Sequence, residues 1–187
     1  EARFRGTQSR HAQRRARPKR LRVPRVLSEE LHNVVLVVGE ANSWPYAMRK
    51  DPHYLDELVH WVAFRPSTGE LFSYVVRPKG EIAPGTTLHT GLDDASLRAG
   101  GSLEELSVRW RSFVRDADVI CSWGHYERNL FARELGPRGG FMPPRQLDLR
   151  GIARDVARGT VGSLTEYRDK VVGTESPETP HASAATV

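Results

Sequence analysis

Glu40 stands directly behind an apolar, largely β-branched run, Val34-Val35-Leu36-Val37-Val38, that ends at Gly39. Such a run reads as a central strand buried on both faces. Polar groups past the carboxyl end of a central strand are where α/β proteins build sites. A second short apolar run, Val119-Ile120-Cys121, leads into Ser122-Trp123-Gly124-His125-Tyr126-Glu127, which sets another carboxylate in the same kind of place. Asp51, His53, Asp56, Glu57 and His125 add carboxylates and imidazoles in neighbouring polar stretches, but their spacing matches no metalloprotease or deaminase pattern. Neither Ser43 nor Ser122 lies in a G-x-S-x-G elbow, which argues against a hydrolase triad. No G-x-G-x-x-G follows the first strand and no G-x-x-x-x-G-K-[ST] occurs, which argues against dinucleotide and P-loop sites. Cys121 is the sole cysteine, so an internal disulfide and a Cys-based zinc cluster are excluded. Its apolar neighbours predict an inert, buried thiol.

Trp44, Trp123 and Tyr126 flank the two strand ends. Exposed there, they would stack on the bases of a single strand; turned inward, they would be core or rim supports. Trp61 and Trp110 are expected in the core, since one alternates within a strand and the other shares a face with Leu106 and Phe113.

The elements that position these groups follow from periodicity. Residues 55–65 and 70–77 read as a hairpin closed by Pro66-Ser67-Thr68-Gly69. Residues 80–91 read as a loop and 93–99 as a short helix. Ser102 followed by Glu105 marks the start of a helix over 103–115, with Leu103, Leu106, Trp110 and Phe113 on one face. Helices are expected at 127–135, 150–158 and 164–172, a punctuated loop at Gly139–Pro144, and the beginning of a last helix at residues 181–187. Strand, hairpin, helix, strand and helices in that order predict an α/β domain with a mixed sheet and helices packed on it.

Of the 187 residues, 39% are hydrophobic and 27% charged, with a formal net charge of +5. The charge is unevenly placed. Residues 1–30 hold ten basic side chains against three acidic ones, a net of +7, which leaves −2 on residues 31–187. The first stretch is expected to be a basic, flexible arm or linker and the second the folded domain. Arg14, Arg15, Arg17, Lys19 and Arg20 form the densest part of that arm, where phosphate backbones would be drawn. A linker to an upstream domain explains the same composition. No stretch approaches eighteen apolar residues, and the first residues lack the apolar core of a signal peptide, so a cytoplasmic setting is expected. The chain opens on Glu1 rather than methionine, as a processed chain or a piece of a longer one would.

Taken in order, these segments resemble the DnaQ-like (DEDD) 3'-5' exonucleases of the ribonuclease H-like superfamily. Val38-Gly39-Glu40 lies where the family carries D-x-E. His89-Thr90-Gly91-Leu92 looks like its I-T-G-[IL] element, and Trp123-Gly124-His125-Tyr126-Glu127 like a W-G-x-[YWF]-D form of its second carboxylate motif. Leu147-Asp148-Leu149 resembles its strand-helix junction, and His181 to Thr186 its H-x(4)-D. The resemblance covers about residues 31–187. The arm also suits domains of this kind fused behind DTW-type tRNA aminocarboxypropyltransferases, which would make an upstream enzyme domain a partner.

The resemblance implies a ribonuclease H-like mixed β-sheet flanked by helices. For an active member it implies phosphodiester cleavage with two Mg²⁺ or Mn²⁺ ions held by four carboxylates, and a histidine or tyrosine that orients the attacking water. Carried over residue by residue, the implied catalytic groups are Glu40, Glu127 and His181, and the implied metal ligands are Glu40 and Glu127. Val38 replaces the first aspartate and Thr186 the last, so two of four negative charges remain. The expectation is therefore a degenerate exonuclease-like domain that binds RNA or DNA, RNA before DNA and tRNA among the candidates. The alternatives are a metal-dependent exonuclease with a non-standard carboxylate set, and a structural or protein-interaction domain.

Overall fold

The computed structural model describes residues 24–136 and 139–172. Nine residues of the first apolar run and its polar end form β1 (Val34–Asn42). β2 (Glu57–Arg65) and β3 (Glu70–Val75) are the expected hairpin, two residues shorter at each outer end. Its turn closes with the Thr68 and Gly69 amides donating to the Arg65 carbonyl, and Gly69 takes the left-handed φ of 72° that glycine tolerates. Next come α2 (Thr86–Thr90), α3 (Asp94–Arg98), α4 (Leu103–Phe113), β4 (Val119–Ser122) and α5 (Tyr126–Leu135). β5 (Arg145–Asp148), α6 (Leu149–Ala157) and α7 (Leu164–Val172) complete the described chain. The strand order is β3-β2-β1-β4-β5. β1–β2 and β2–β3 are antiparallel, whereas β1–β4 and β4–β5 are parallel. This is the expected mixed α/β sheet with helices against it.

Two apolar layers hold the sheet. On one face Trp61, Trp110, Leu106, Phe131 and Leu135 are fully buried between the hairpin and helices α4 and α5. Trp61 lies 4.6 Å from the Phe131 ring and 5.6 Å from Trp110, close enough for aromatic pairing to add to burial. Both tryptophans are core, as their spacing predicts. The other face carries a smaller cluster of Val26, Val34, Val119 and Cys121, backed by Leu147 and Leu149. Burial pushes the Cys121 thiol up to about 11, so it is inert at neutral pH.

Three local readings are corrected. Residues 80–91 are not all loop: Thr86–Thr90 make a turn of helix, stopped by Gly91 in the left-handed region at φ 65°. Arg145–Asp148 form a strand where periodicity assigned no element and only the resemblance set a strand-helix junction at Leu147-Asp148-Leu149; it pairs in parallel with β4 from Val119↔Arg145 to Ser122↔Asp148. Short helical turns at Val26–Glu29 (α1) and Leu31–Asn33 precede the first strand. Val26 is buried, and Glu30 pairs with Arg145 at 2.7 Å, so residues 26–30 pack against the sheet. Ser102 caps α4 as its pattern predicts, accepting from the Glu105 amide at 3.1 Å.

An internal ion pair ties the hairpin to the loop before β4. Arg65 is fully buried and donates to both oxygens of Asp118, at 2.6 and 2.9 Å, and to Glu70 at 2.9 Å. Asp118 also accepts from the Arg115 amide at 2.8 Å. The bidentate geometry meets the requirement that a buried charge be paired and fully hydrogen-bonded.

Candidate functional site

Parallel pairing brings the carboxyl ends of β1, β4 and β5 to one edge of the sheet. Glu40 lies near the end of β1, opposite His60 of β2. Alternation puts Val38 and Glu40 on one side of the strand and Gly39 on the other. Val38 is 7% exposed and pairs with Val62, so the position that resembles the family's first aspartate supplies a packed methyl surface and no oxygen.

Glu127 sits in the first turn of α5, where a negative charge is favoured. The helix docks tightly on β1: a methyl group at Gly39 would lie 3.2 Å from the Glu127 Cβ and 2.8 Å from the Trp61 ring. Only glycine lets strand and helix approach this closely. Burial raises the Glu127 carboxyl above the usual carboxylate range, and the nearby Asp148 pushes the same way. A hydrogen bond from its own backbone amide, then the charges of Arg128 and Arg150, oppose that shift in part. Glu127 Oε2 is buried without a hydrogen-bond partner among the described residues.

Asp148 ends β5 and caps α6, accepting from the Gly151 amide at 3.1 Å. It thus orders the junction at which the resemblance placed it. His125 Nε2 lies 3.4 Å from Asp148 Oδ2, and Arg128 lies 2.6 Å from His125 Nδ1. A guanidinium only donates, so Nδ1 is the acceptor in the Arg128 contact and Nε2 is the ring nitrogen that faces Asp148. Arg128 is nearly buried and also donates to Gln146 at 2.6 Å, which links α5 to β5.

Other carboxylates near β1 have structural partners. Asp56 accepts from Ser43 at 2.8 Å, from Arg49 at 3.2 Å and from the Tyr126 hydroxyl at 2.7 Å, while Arg133 donates to its carbonyl. This network fastens the loop after β1 to α5. Burial, then the bond to Asp56, raises the Tyr126 phenol above its ordinary value. Asp51 accepts from the His53 amide at 2.9 Å, and Glu57 accepts from Asn42 at 3.2 Å. Asn42 is a site residue that sequence reading missed. It is buried at the end of β1, accepts from the Ala83 amide and the Thr86 hydroxyl at 2.8 Å each, and donates to the Glu81 carbonyl. It thereby holds α2 against the sheet edge.

Trp44 is half-buried, with its ring 4.8 Å from Tyr54. Trp123 is half-buried, donates to the Gly162 carbonyl at 3.2 Å and lies 5.1 Å from Tyr167. Tyr126 is 49% exposed although its hydroxyl is engaged by Asp56. All three stand around the carboxyl edge of the sheet. His181 and Thr186, and Arg14, Arg15, Arg17, Lys19 and Arg20 of the arm, lie outside the described residues. Among the described residues, no group of three His, Cys, Asp or Glu side chains is disposed to hold a metal ion. No helix among them is long and apolar enough to cross a membrane.

Solved structures share this fold. E. coli Exonuclease I in complex with a dT13 oligonucleotide superposes with a TM-score of 0.60 and 18% identity, covering 82% of this chain and 38% of that one. A 3'-exonuclease that recognises the 3' end of a histone mRNA stem-loop gives 0.63 at 10% identity, over 82% and 59%. The nuclease domain of a DEDDh family member bound to rAMP gives 0.59 at 14% identity, over 81% and 84%. This chain has the exonuclease fold. It spans about two fifths and three fifths of the first two proteins' lengths. No model of a known protein family matches the sequence, and no curated protein does either.

Proposed function

We propose that this exonuclease-fold domain binds a nucleic-acid strand without cleaving it. The observation that carries the reading is Val38. In a two-metal site the ions need dense negative charge from oxygen ligands. Here the strand position that would supply the first oxygen is a buried valine, and Arg128 and Arg150 act electrostatically on Glu127. The donor set among the described residues does not fit a pair of hard dications. Three features support binding: the fold shared with an exonuclease solved in complex with oligonucleotides, the basic residues 14–20 ahead of the domain, and aromatic rings at the sheet edge. Bases of a single strand would stack on Tyr126, Trp123 and Trp44, with RNA and tRNA the first substrates to try. The arm would strengthen attachment through phosphates or lead to a fused enzyme domain.

A second reading, a divalent-ion nuclease, has one observation behind it: the partnerless Oε2 of Glu127, which a cation would satisfy. Electron paramagnetic resonance of Mn²⁺ titrated into the full chain separates the two. Free-ion signal persisting through millimolar Mn²⁺ is the expected result. Stoichiometric loss of that signal, abolished by Glu127→Gln, establishes the nuclease-type site instead.

A further inference from the structure

A cavity of about 440 Å³ opens between the turn after β4 and the first turns of α6. Its volume suits a small-ligand site. His125, Asp148, Arg150, Arg154 and Thr160 line it. Arg150 and Arg154 are four residues apart on α6 and share a helix face, where like charges repel. Arg150 donates to the Val161 carbonyl at 3.3 Å. Among the described residues neither guanidinium is ion-paired. The one carboxylate in the wall is already engaged, Oδ1 by the Gly151 amide at 3.1 Å and Oδ2 by His125 at 3.4 Å. The cavity therefore holds more positive charge than its own acid balances, at the edge where the sheet brings its strand ends together.

We propose that this cavity takes a phosphate group of a nucleic-acid strand directly, on Arg150 and Arg154, with no metal ion between protein and phosphate. Guanidinium forks match phosphate oxygens in geometry and charge, and a bound anion relieves the repulsion between the two arginines. The inference rests on the nucleic-acid reading above and names the groups that do the binding. It inverts the charge logic of a two-metal cleft: fixed side chains supply the cations.

The test uses the full chain in EDTA. The Nε–Hε resonances of Arg150 and Arg154 are followed while inorganic phosphate, a nucleoside 3'-monophosphate, or a single-stranded oligonucleotide with a 3'-hydroxyl is added. Both resonances are expected to move. A response to the monophosphate but not the oligonucleotide assigns the cavity to a strand's terminal phosphate, and a response to both assigns it to backbone phosphates as well. The double variant Arg150→Gln/Arg154→Gln is expected to weaken oligonucleotide binding about tenfold or more. Its salt dependence should fall by roughly one unit of slope for each phosphate the variant no longer neutralises, with the melting temperature retained. Equal oligonucleotide affinity in the wild type and the double variant, with unmoved resonances, overturns the phosphate site and leaves the nucleic-acid reading standing. Resonances that move with phosphate alone, with no binding of any oligonucleotide, overturn both the strand assignment and the nucleic-acid reading. A requirement for Mn²⁺ before the resonances move overturns the metal-free claim.

Discussion

Replacing Glu127 by methionine should stabilise the protein at neutral pH. Glu127 Oε2 is buried and has no partner among the described residues. An orphaned buried polar atom costs about 1–3 kcal/mol. Methionine keeps the length of the side chain and adapts to irregular space. The variant gives up the favourable meeting of a carboxylate with the helix amino end, including its bond from the Glu127 amide, about 0.3–1 kcal/mol. The net gain expected at pH 7 is about 1–2 kcal/mol. For a chain of this size that is a melting-point rise of roughly 2–8 °C. The pH dependence carries a sign. Burial raises the folded-state affinity of Glu127 for its proton, so between the unfolded and folded titrations the folded state binds more protons. Wild-type stability from this group is complete below the unfolded range, near pH 4, and is lost as pH rises through the raised folded value. The gap between Glu127→Met and wild type should therefore be small near pH 4 and widen toward pH 7. Urea unfolding at several pH values reads both quantities. A variant no more stable than wild type at pH 7, with an unchanged pH slope, would refute the desolvation argument.

Three further outcomes are expected. Asp118→Asn leaves the buried Arg65 guanidinium without its bidentate partner and should cost about 3–5 kcal/mol; a loss under 1 kcal/mol in denaturant titration would place the pair among weak surface bridges. Tyr126→Phe removes a hydrogen bond to the Asp56 carboxylate and should cost about 1.5–3 kcal/mol, with faster amide exchange in residues 44–55. Asn42→Ala orphans the Ala83 amide and the Thr86 hydroxyl and should cost about 2–5 kcal/mol. Limited proteolysis should then cut first at residues 78–90; cleavage elsewhere, or none, counts against the anchor.

The sequence carried the regular parts of this fold because they obey local rules. β1 is an uninterrupted apolar run, the hairpin has its turn residues, and α4 has both a cap and a face. Periodicity did not mark β5, whose end only the resemblance located, because Arg145-Gln146-Leu147-Asp148 forms a short edge strand whose first two side chains are exposed, so burial imposes no apolar pattern on it. α2 escaped because Thr86-Thr87-Leu88-His89-Thr90 has little helix propensity of its own; it is held by Asn42, 44 residues earlier than Thr86. The Arg65–Asp118 pair spans 53 residues and leaves no local mark. At the site, the places of Glu40 near the end of β1, Glu127 in the first turn of α5 and Asp148 at the end of β5 were legible through the resemblance. The partners of Asp56, the orphan oxygen of Glu127 and the unbalanced arginines of α6 depend on how distant segments meet.

Fluorescence anisotropy of an end-labelled single-stranded RNA, with the full chain first in EDTA and then in millimolar MnCl₂, tests the central claim most directly. Binding without cleavage predicts saturable binding in EDTA, the same affinity after Mn²⁺ is added, and an anisotropy that holds steady over hours. Binding that appears only with Mn²⁺, or a signal that decays as the labelled strand shortens, would contradict it.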